Sequence, residues 1–204
     1  MDSFIIEGGA RLRGSIKVNG SKNAALPIMA AALLADGGGA TTLKEVPNLS
    51  DINHQIALLR ELGCTAERQA DGAMKIEVTD EKNSHARYDL VRKMRASICV
   101  LGPLLAKRKY ARISMPGGCA IGDRPVDIHL RGLEALGATI ELDGGDIIAR
   151  ADKLTGAEIF LGGNFGSTVL GTANIMSAAT LAKERRMTSQ IAWSISPVAS
   201  SRTL

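Results

Sequence analysis

The sequence predicts an α/β fold, an inside-out domain of repeated βαβαββ units with helices packed inside sheets and the third unit incomplete. Three observations predict it: apolar helical stretches recur, strand and helix candidates follow them in one fixed order, and hairpin signals close the series. The stretches at 26–35, 97–106 and 174–182 are rich in Ala, Leu and Ile, and their final alanines Ala35, Ala106 and Ala182 lie 71 and 76 residues apart. Self-similarity at such a period means that each unit buries its apolar face against its neighbours.

In the first unit the helical stretch leads to a strand over 41–46, a proline and a second helix over 51–62. In the second, the same order gives a strand over 111–115, a proline and a helix over 127–136. Both second helices end in Leu-Gly, and Gly63 and Gly137 read as C-caps because glycine accepts the left-handed backbone needed there. The runs from Cys64 and Ala138 then read as strands, with Asp71-Gly72 and Asp143-Gly144 turning each into a hairpin. The third unit offers a helix over 167–182, a strand around 187–191 and Pro197, but no second helix or hairpin. Its apolar faces are expected to lack cover, which implies truncation, a partner that pairs there, or a disordered end. Residues 188–204 are Ser-rich without periodicity and are expected to be poorly ordered. No Gly-x-Gly-x-x-Gly joins a strand to a helix, which excludes the dinucleotide-binding fold.

With 204 residues and 45% hydrophobic content the chain can bury a sizeable core. Aromatics are only 3%, so stacking platforms for single-stranded nucleic acid are not expected. The formal net charge of +4 is concentrated at one end: residues 183–204 hold four Lys/Arg and one Glu, leaving 21 basic against 20 acidic residues before them. The basic residues therefore read as local anion contacts and not as a face for a polyanion. Cys64, Cys99 and Cys119 are odd in number, widely spaced and without metal-ligand spacing or a signal peptide, which points to a reducing cytoplasm. The longest apolar run, residues 24–35, is too short to span a bilayer.

Two patterns carry chemistry. The helical stretches begin Ser21-Lys22-Asn23, Arg95-Ala96-Ser97 and Ser167-Thr168, and helix N-termini attract anions through unpaired N–H groups and the macrodipole. The plainer reading makes the three serines simple N-caps and Arg95 part of a solvated run with Arg87, Arg92 and Lys93. His54, His85 and His129 share no close spacing and receive no role. The second pattern, residues 115–125 (Met-Pro-Gly-Gly-Cys-Ala-Ile-Gly-Asp-Arg-Pro), sets Cys119 in a glycine-rich loop bounded by Pro116 and Pro125. A guanidinium such as Arg124 nearby lowers a thiol from its usual pKa of about 8.5 towards a useful acid or nucleophile.

Gly20-Ser21-Lys22-Asn23-Ala24-Ala25, Met94-Arg95-Ala96-Ser97 and the cysteine loop through Arg124-Pro125-Val126-Asp127 together resemble the UDP-N-acetylglucosamine enolpyruvyl transferases. The resemblance runs from the start to about Ala182. It implies that residues 1–20 supply strands to a second domain, that 21–182 form the cysteine-loop domain, and that 183–204 diverge. It implies transfer of the enolpyruvyl group of phosphoenolpyruvate to the 3-hydroxyl of UDP-N-acetylglucosamine with release of phosphate, the committed step of peptidoglycan synthesis, with no metal or organic cofactor. Lys22 and Asn23 would contact phosphoenolpyruvate. Arg95, Arg124, Pro125, Val126, Asp127, Ile128, Gly166, Ser167, Thr168 and Val169 would contact the sugar nucleotide, and Cys119 would donate the proton or form an adduct.

The family has six units in two domains, so turnover by this chain alone is expected to be weak or absent. A rival reading is a non-catalytic domain that keeps the sugar-nucleotide surface and pairs its open edge with another chain. The related shikimate-phosphate enolpyruvyl transferases share the fold, but the cysteine loop is a mark of the amino-sugar enzymes.

Overall fold

Helices occupy the middle of the molecule and sheets flank them. The computed structural model of the chain describes residues 3–9, 11, 13–36, 38–116, 126–163 and 166–183. The first unit contains α1 (Lys22–Ala31), a 3₁₀ turn (Ala32–Leu34), β1 (Ala40–Leu43), α2 (Ser50–Glu61), β2 (Cys64–Arg68) and β3 (Met74–Val78). The second contains β4 (His85–Ala86), α3 (Tyr88–Val91), a 3₁₀ helix (Arg95–Val100), α4 (Leu101–Arg108), β5 (Tyr110–Ser114), α5 (Asp127–Ala135), β6 (Thr139–Asp143) and β7 (Asp146–Arg150). The third begins with the short strands β8 (Gly162–Gly163) and β9 (Gly166–Ser167) and the helix α6 (Val169–Ala179).

The two complete sheets repeat one order. The first runs β1-β3-β2, all antiparallel, and the second runs β4-β5-β7-β6, with β4 parallel to β5 and the rest antiparallel. The predicted βαβαββ series is thus complete in the second unit. In the first, the described residues 3–20 form no strand or helix, and Phe4, Ile5, Ile6, Ile16 and Val18 are all exposed. The third repeats the opening step of the second: Thr155 and Lys183 form a parallel bridge, with Lys183 N donating to Leu154 O and Gly156 N to Lys183 O, both 2.9 Å. The strand expected at 187–191 and the tail 184–204 lie outside the described residues.

Boundaries moved where backbone geometry intervened. The strand expected to 46 stops at Leu43, because Glu45 takes φ 57° and leaves the pleat. The stretch 97–106 is not one α-helix: Arg95–Val100 winds as 3₁₀ before α4 starts at Leu101. The second hairpin turns on Gly144-Gly145, both at positive φ, one residue beyond the predicted pair. Gly63 and Gly137 do end their helices in the left-handed region, at φ 85° and 95°. Gly63 admits no alternative, since a Cβ there would lie 1.9 Å from Asp80 O.

Packing follows from composition. With few aromatics, the centre is filled by Met29 and Leu33 of the first unit, Ile98, Leu101, Leu104 and Leu105 of the second and Ile175 and Ala178 of the third. Each large side chain so buried contributes roughly 1.5–3 kcal/mol. The sheets add one face each: Cys64 and Ala66 of β2, Met74, Ile76 and Val78 of β3, Ala111 and Ile113 of β5. Small residues let the helices meet. A Cβ on Gly102 would lie 2.2 Å from Asn174 O, and one on Gly132 would lie 2.0 Å from Ile175 Cδ1. Gly102→Ala is therefore expected to lower stability by about 1–3 kcal/mol in chemical denaturation. Gly8→Ala, with no atom within 4 Å of the added Cβ, is expected to leave it unchanged.

Candidate active site at the helix starts

At the start of α1, Ser21 takes the N-cap position but its hydroxyl makes no cap bond. The first backbone i→i−4 bond runs from Ala25 N to Ser21 O, 2.9 Å. The N–H groups ahead of it have no acceptor within the helix, which makes this end electropositive. Lys22 is the first helical residue, and its Nζ lies 2.7 Å from Asp51 Oδ2 in the first turn of α2. Asn23 follows, exposed. The hydroxyl cap that opens α6 is a threonine, not one of the serines read as caps: Thr168 Oγ1 accepts from Gly171 N at 3.1 Å. Ser97 lies buried inside the 3₁₀ helix instead.

A buried polar relay connects three helices behind these ends. Gly102 N donates to Asn174 Oδ1 at 2.7 Å, and Asn174 Nδ2 meets His129 Nδ1 at 3.1 Å. The carboxamide oxygen is committed to Gly102, so its NH₂ must face the imidazole, and His129 Nδ1 must accept. That requires a neutral ring. Burial, together with the positive charge of Arg95 nearby, pushes the His129 pKa down to about 4, against a smaller opposite pull from Asp127. Arg95 and Asp127, both predicted substrate contacts, thus lie within electrostatic reach of one imidazole.

The cysteine loop leaves from β5 and returns at Val126, the N-cap of α5. Its departure point is anchored: Ser114 Oγ donates to Asp146 Oδ1 and Arg112 Nε to Asp146 Oδ2, both 2.6 Å, and Met115 N donates to Gly145 O. Burial alone would raise the Asp146 carboxyl, but the Ser114 and Arg112 hydrogen bonds outweigh it and hold the group below the ordinary carboxylate range.

Cys119, Arg124 and Pro125 lie outside the described residues. Val126, Asp127 and Ile128 open α5, Gly166 and Ser167 form β9, and Val169 begins α6 with its side chain exposed. The 3₁₀ helix that starts at Arg95 packs on both α1 and α6, and α6 packs on α5, which puts the three predicted helix starts and the start of α5 on one helical cluster. Sequence reasoning missed His129, Asn174 and Asp51. A lone asparagine in the apolar stretch 174–182 was the available sign of a buried polar bond. Among the described residues no group of three His, Cys, Asp or Glu side chains could hold a metal ion, and no helix is long and apolar enough to cross a membrane.

The fold recurs in solved structures. The enolpyruvyl transferase NikO from Streptomyces tendae matches with a TM-score of 0.67 at 20% identity, covering 86% of this chain and 40% of that one. An EPSP synthase from Acinetobacter baumannii matches with a TM-score of 0.59 at 18% identity, covering 83% and 38%. The architecture is therefore that of the enolpyruvyl transferases, repeated α/β units around a core of helices. The chain belongs to the EPSP synthase (3-phosphoshikimate 1-carboxyvinyltransferase) family, whose model it matches over residues 6–203.

Relatives in that family include proteins named UDP-N-acetylglucosamine 1-carboxyvinyltransferase. Those of Desulforapulum autotrophicum and Methylacidiphilum infernorum are 52% and 51% identical over 183 residues, 90% of this chain and 42% of each relative. That of Akkermansia muciniphila is 46% identical over 184 residues. The chain spans about 42% of the length of these relatives.

The relay makes a pH dependence. Because the His129 pKa is depressed on folding, from 6.5 to about 4, the unfolded chain binds a proton in that window and the native chain does not. Stability is expected to fall as pH drops from 6.5 towards 4, by up to about 3 kcal/mol from this group. Comparing denaturant unfolding of the chain and of His129→Gln across that range checks it: the variant should show the shallower fall.

Proposed function

We propose that the chain is the sugar-nucleotide-holding, cysteine-loop portion of a UDP-N-acetylglucosamine enolpyruvyl transferase. The reaction it serves moves the enolpyruvyl group of phosphoenolpyruvate to the 3-hydroxyl of the sugar nucleotide and releases phosphate. The observation that carries this reading is that Lys22, Arg95, the Val126–Asp127 start of α5 and the Thr168 cap all stand at the starts of helices of one packed cluster, in which α1, the Arg95 helix and α6 touch one another and α5 packs on α6. It is supported by relatives of that name at about half identity.

The division of labour follows from the chemistry. Phosphoenolpyruvate and the sugar nucleotide bring phosphates and a carboxylate, which suit helix N-termini and the cations Lys22, Arg95 and Arg124. Lys22 and Asn23 take the phosphoenolpyruvate side. Arg95, Arg124, Pro125, Val126, Asp127, Ile128, Gly166, Ser167, Thr168 and Val169 take the sugar-nucleotide side. Transfer needs a proton on the enol carbon so that its neighbour becomes electrophilic, and the Cys119 thiol is the acid assigned to that step. Residues 1–20 belong, in this reading, with a second domain that supplies the remaining groups, and the chain acts in the cytoplasm.

Calorimetric titration with UDP-N-acetylglucosamine is expected to show binding, and phosphate release from phosphoenolpyruvate is expected to be weak or absent in the 204-residue chain. Robust turnover would overturn the assignment of essential groups to a second domain, and absence of sugar-nucleotide binding would overturn the site. Binding without any turnover also fits a non-catalytic domain. That second reading draws on the exposed Val169, Met176 and Leu181 of the third unit, where another chain could pair.

The thiols separate in a second experiment. Burial pushes Cys64 up to about 11, against a small opposite pull from Arg108, and Cys99 up to about 12. Alkylation near pH 8 followed by peptide mapping is expected to modify Cys119 well ahead of both. Equal rates at all three would remove the acid role.

A further inference from the structure

We propose that Asp51 is the resident counter-ion of the Lys22 anion site. It aims the ammonium before substrate arrives and competes for it with the incoming phosphate or carboxylate. The inference rests on the reading above that Lys22 meets a substrate anion, and it adds a residue to which that reading gives no role.

Helix electrostatics motivate it. A lysine at the first position of α1 sits at the positive end of the macrodipole, where a cation is disfavoured. Asp51 occupies the first turn of α2, where a carboxylate is favoured, and its Oδ2 reaches Lys22 Nζ at 2.7 Å. One short pair thus offsets the misplaced cation and fixes its direction.

The pair is not buried away. The Lys22 and Asp51 side chains retain 42% and 28% exposure, so an anion can approach the ammonium while the carboxylate is still beside it. With Asp51 ionised, the two side chains carry no net charge. An entering anion gains the first-turn N–H groups of α1 and the ammonium, but it meets a like charge a few ångströms away. Affinity is held down, which favours departure of inorganic phosphate after transfer.

A purely structural aspartate predicts the opposite sign. If Asp51 only props the site, removing it should weaken anion binding. If it is the competing counter-ion, removing its charge should strengthen binding.

The test follows the Asn23 and Ala24 backbone amides by NMR. Inorganic phosphate, and separately phosphoenolpyruvate, is titrated into the full chain and into folded Asp51→Asn, Asp51→Glu and Lys22→Gln variants. Lys22→Gln is expected to weaken binding of both anions. Asp51→Asn is expected to tighten it severalfold, on the order of fivefold, and to make it more salt-dependent as the site gains net positive charge. Asp51→Glu, which keeps the charge, is expected to stay near the parent chain. Unchanged binding in Lys22→Gln, or none in the parent chain, overturns the reading of Lys22 itself. Weaker binding in Lys22→Gln together with unchanged or weaker binding in Asp51→Asn overturns the counter-ion role and leaves Lys22 in place.

Discussion

The arrangement of the helical core depends on the Asn174 carboxamide, held between the Gly102 N–H and the His129 imidazole. Leaving any member of this buried trio unpaired costs more than the pair itself contributes, so the three groups specify one relative placement of α4, α5 and α6. Gly102 and Gly132 make that placement possible by giving up their side chains where α6 passes. The predicted contacts at Asp127 and Thr168 sit at the starts of α5 and α6, which this trio fixes, and Arg95 starts the 3₁₀ helix that runs directly into α4, so their spacing is inherited from the core.

Charge is distributed along the same lines. Lys22 opposes its own helix dipole and is balanced by a neighbouring carboxylate, while Arg87 grips Glu61 and holds that carboxyl below its usual range. Arg108 works between units: its guanidinium donates to the carbonyls of Leu62, Asp80 and Asn83, tying the end of α2 and the segment after β3 to the entry of β4. Burial lowers its pKa from the usual guanidinium value, the expected cost of a cation serving as a structural clasp.

Legibility of the fold in the sequence tracked the range of the forces involved. Periodic apolar stretches, Leu-Gly helix ends and Asp-Gly turns are local signals, and they located α2, α5 and both hairpins to within a residue or two. The 3₁₀ winding of Arg95–Val100 was not legible from the apolar stretch 97–106, because a run of buried residues does not distinguish 3₁₀ from α winding. The candidate site divides in the same way. Lys22 and Arg95 announce themselves as cations at helix starts, whereas Asp51 gains meaning only once α2 lies beside α1. His129 needed a partner 45 residues away. The repeat itself shows why position alone misleads. Gln55 stands seven residues before its Leu-Gly as His129 does before the next, and it is fully buried, yet its amide has no partner among the described residues. Where the third helical stretch offers Asn174, the second has Ile98.

The single rung between Thr155 and Lys183 carries a broader meaning. In the second unit, the strand before the helices pairs in parallel with the strand after them, and this rung begins the same closure in the third. The second and third modules therefore each start a sheet by pairing the chain before their helices with the chain after them. Such a module can be copied in tandem by gene duplication without redesigning a boundary, and during synthesis it can nucleate from contacts within its own stretch of chain.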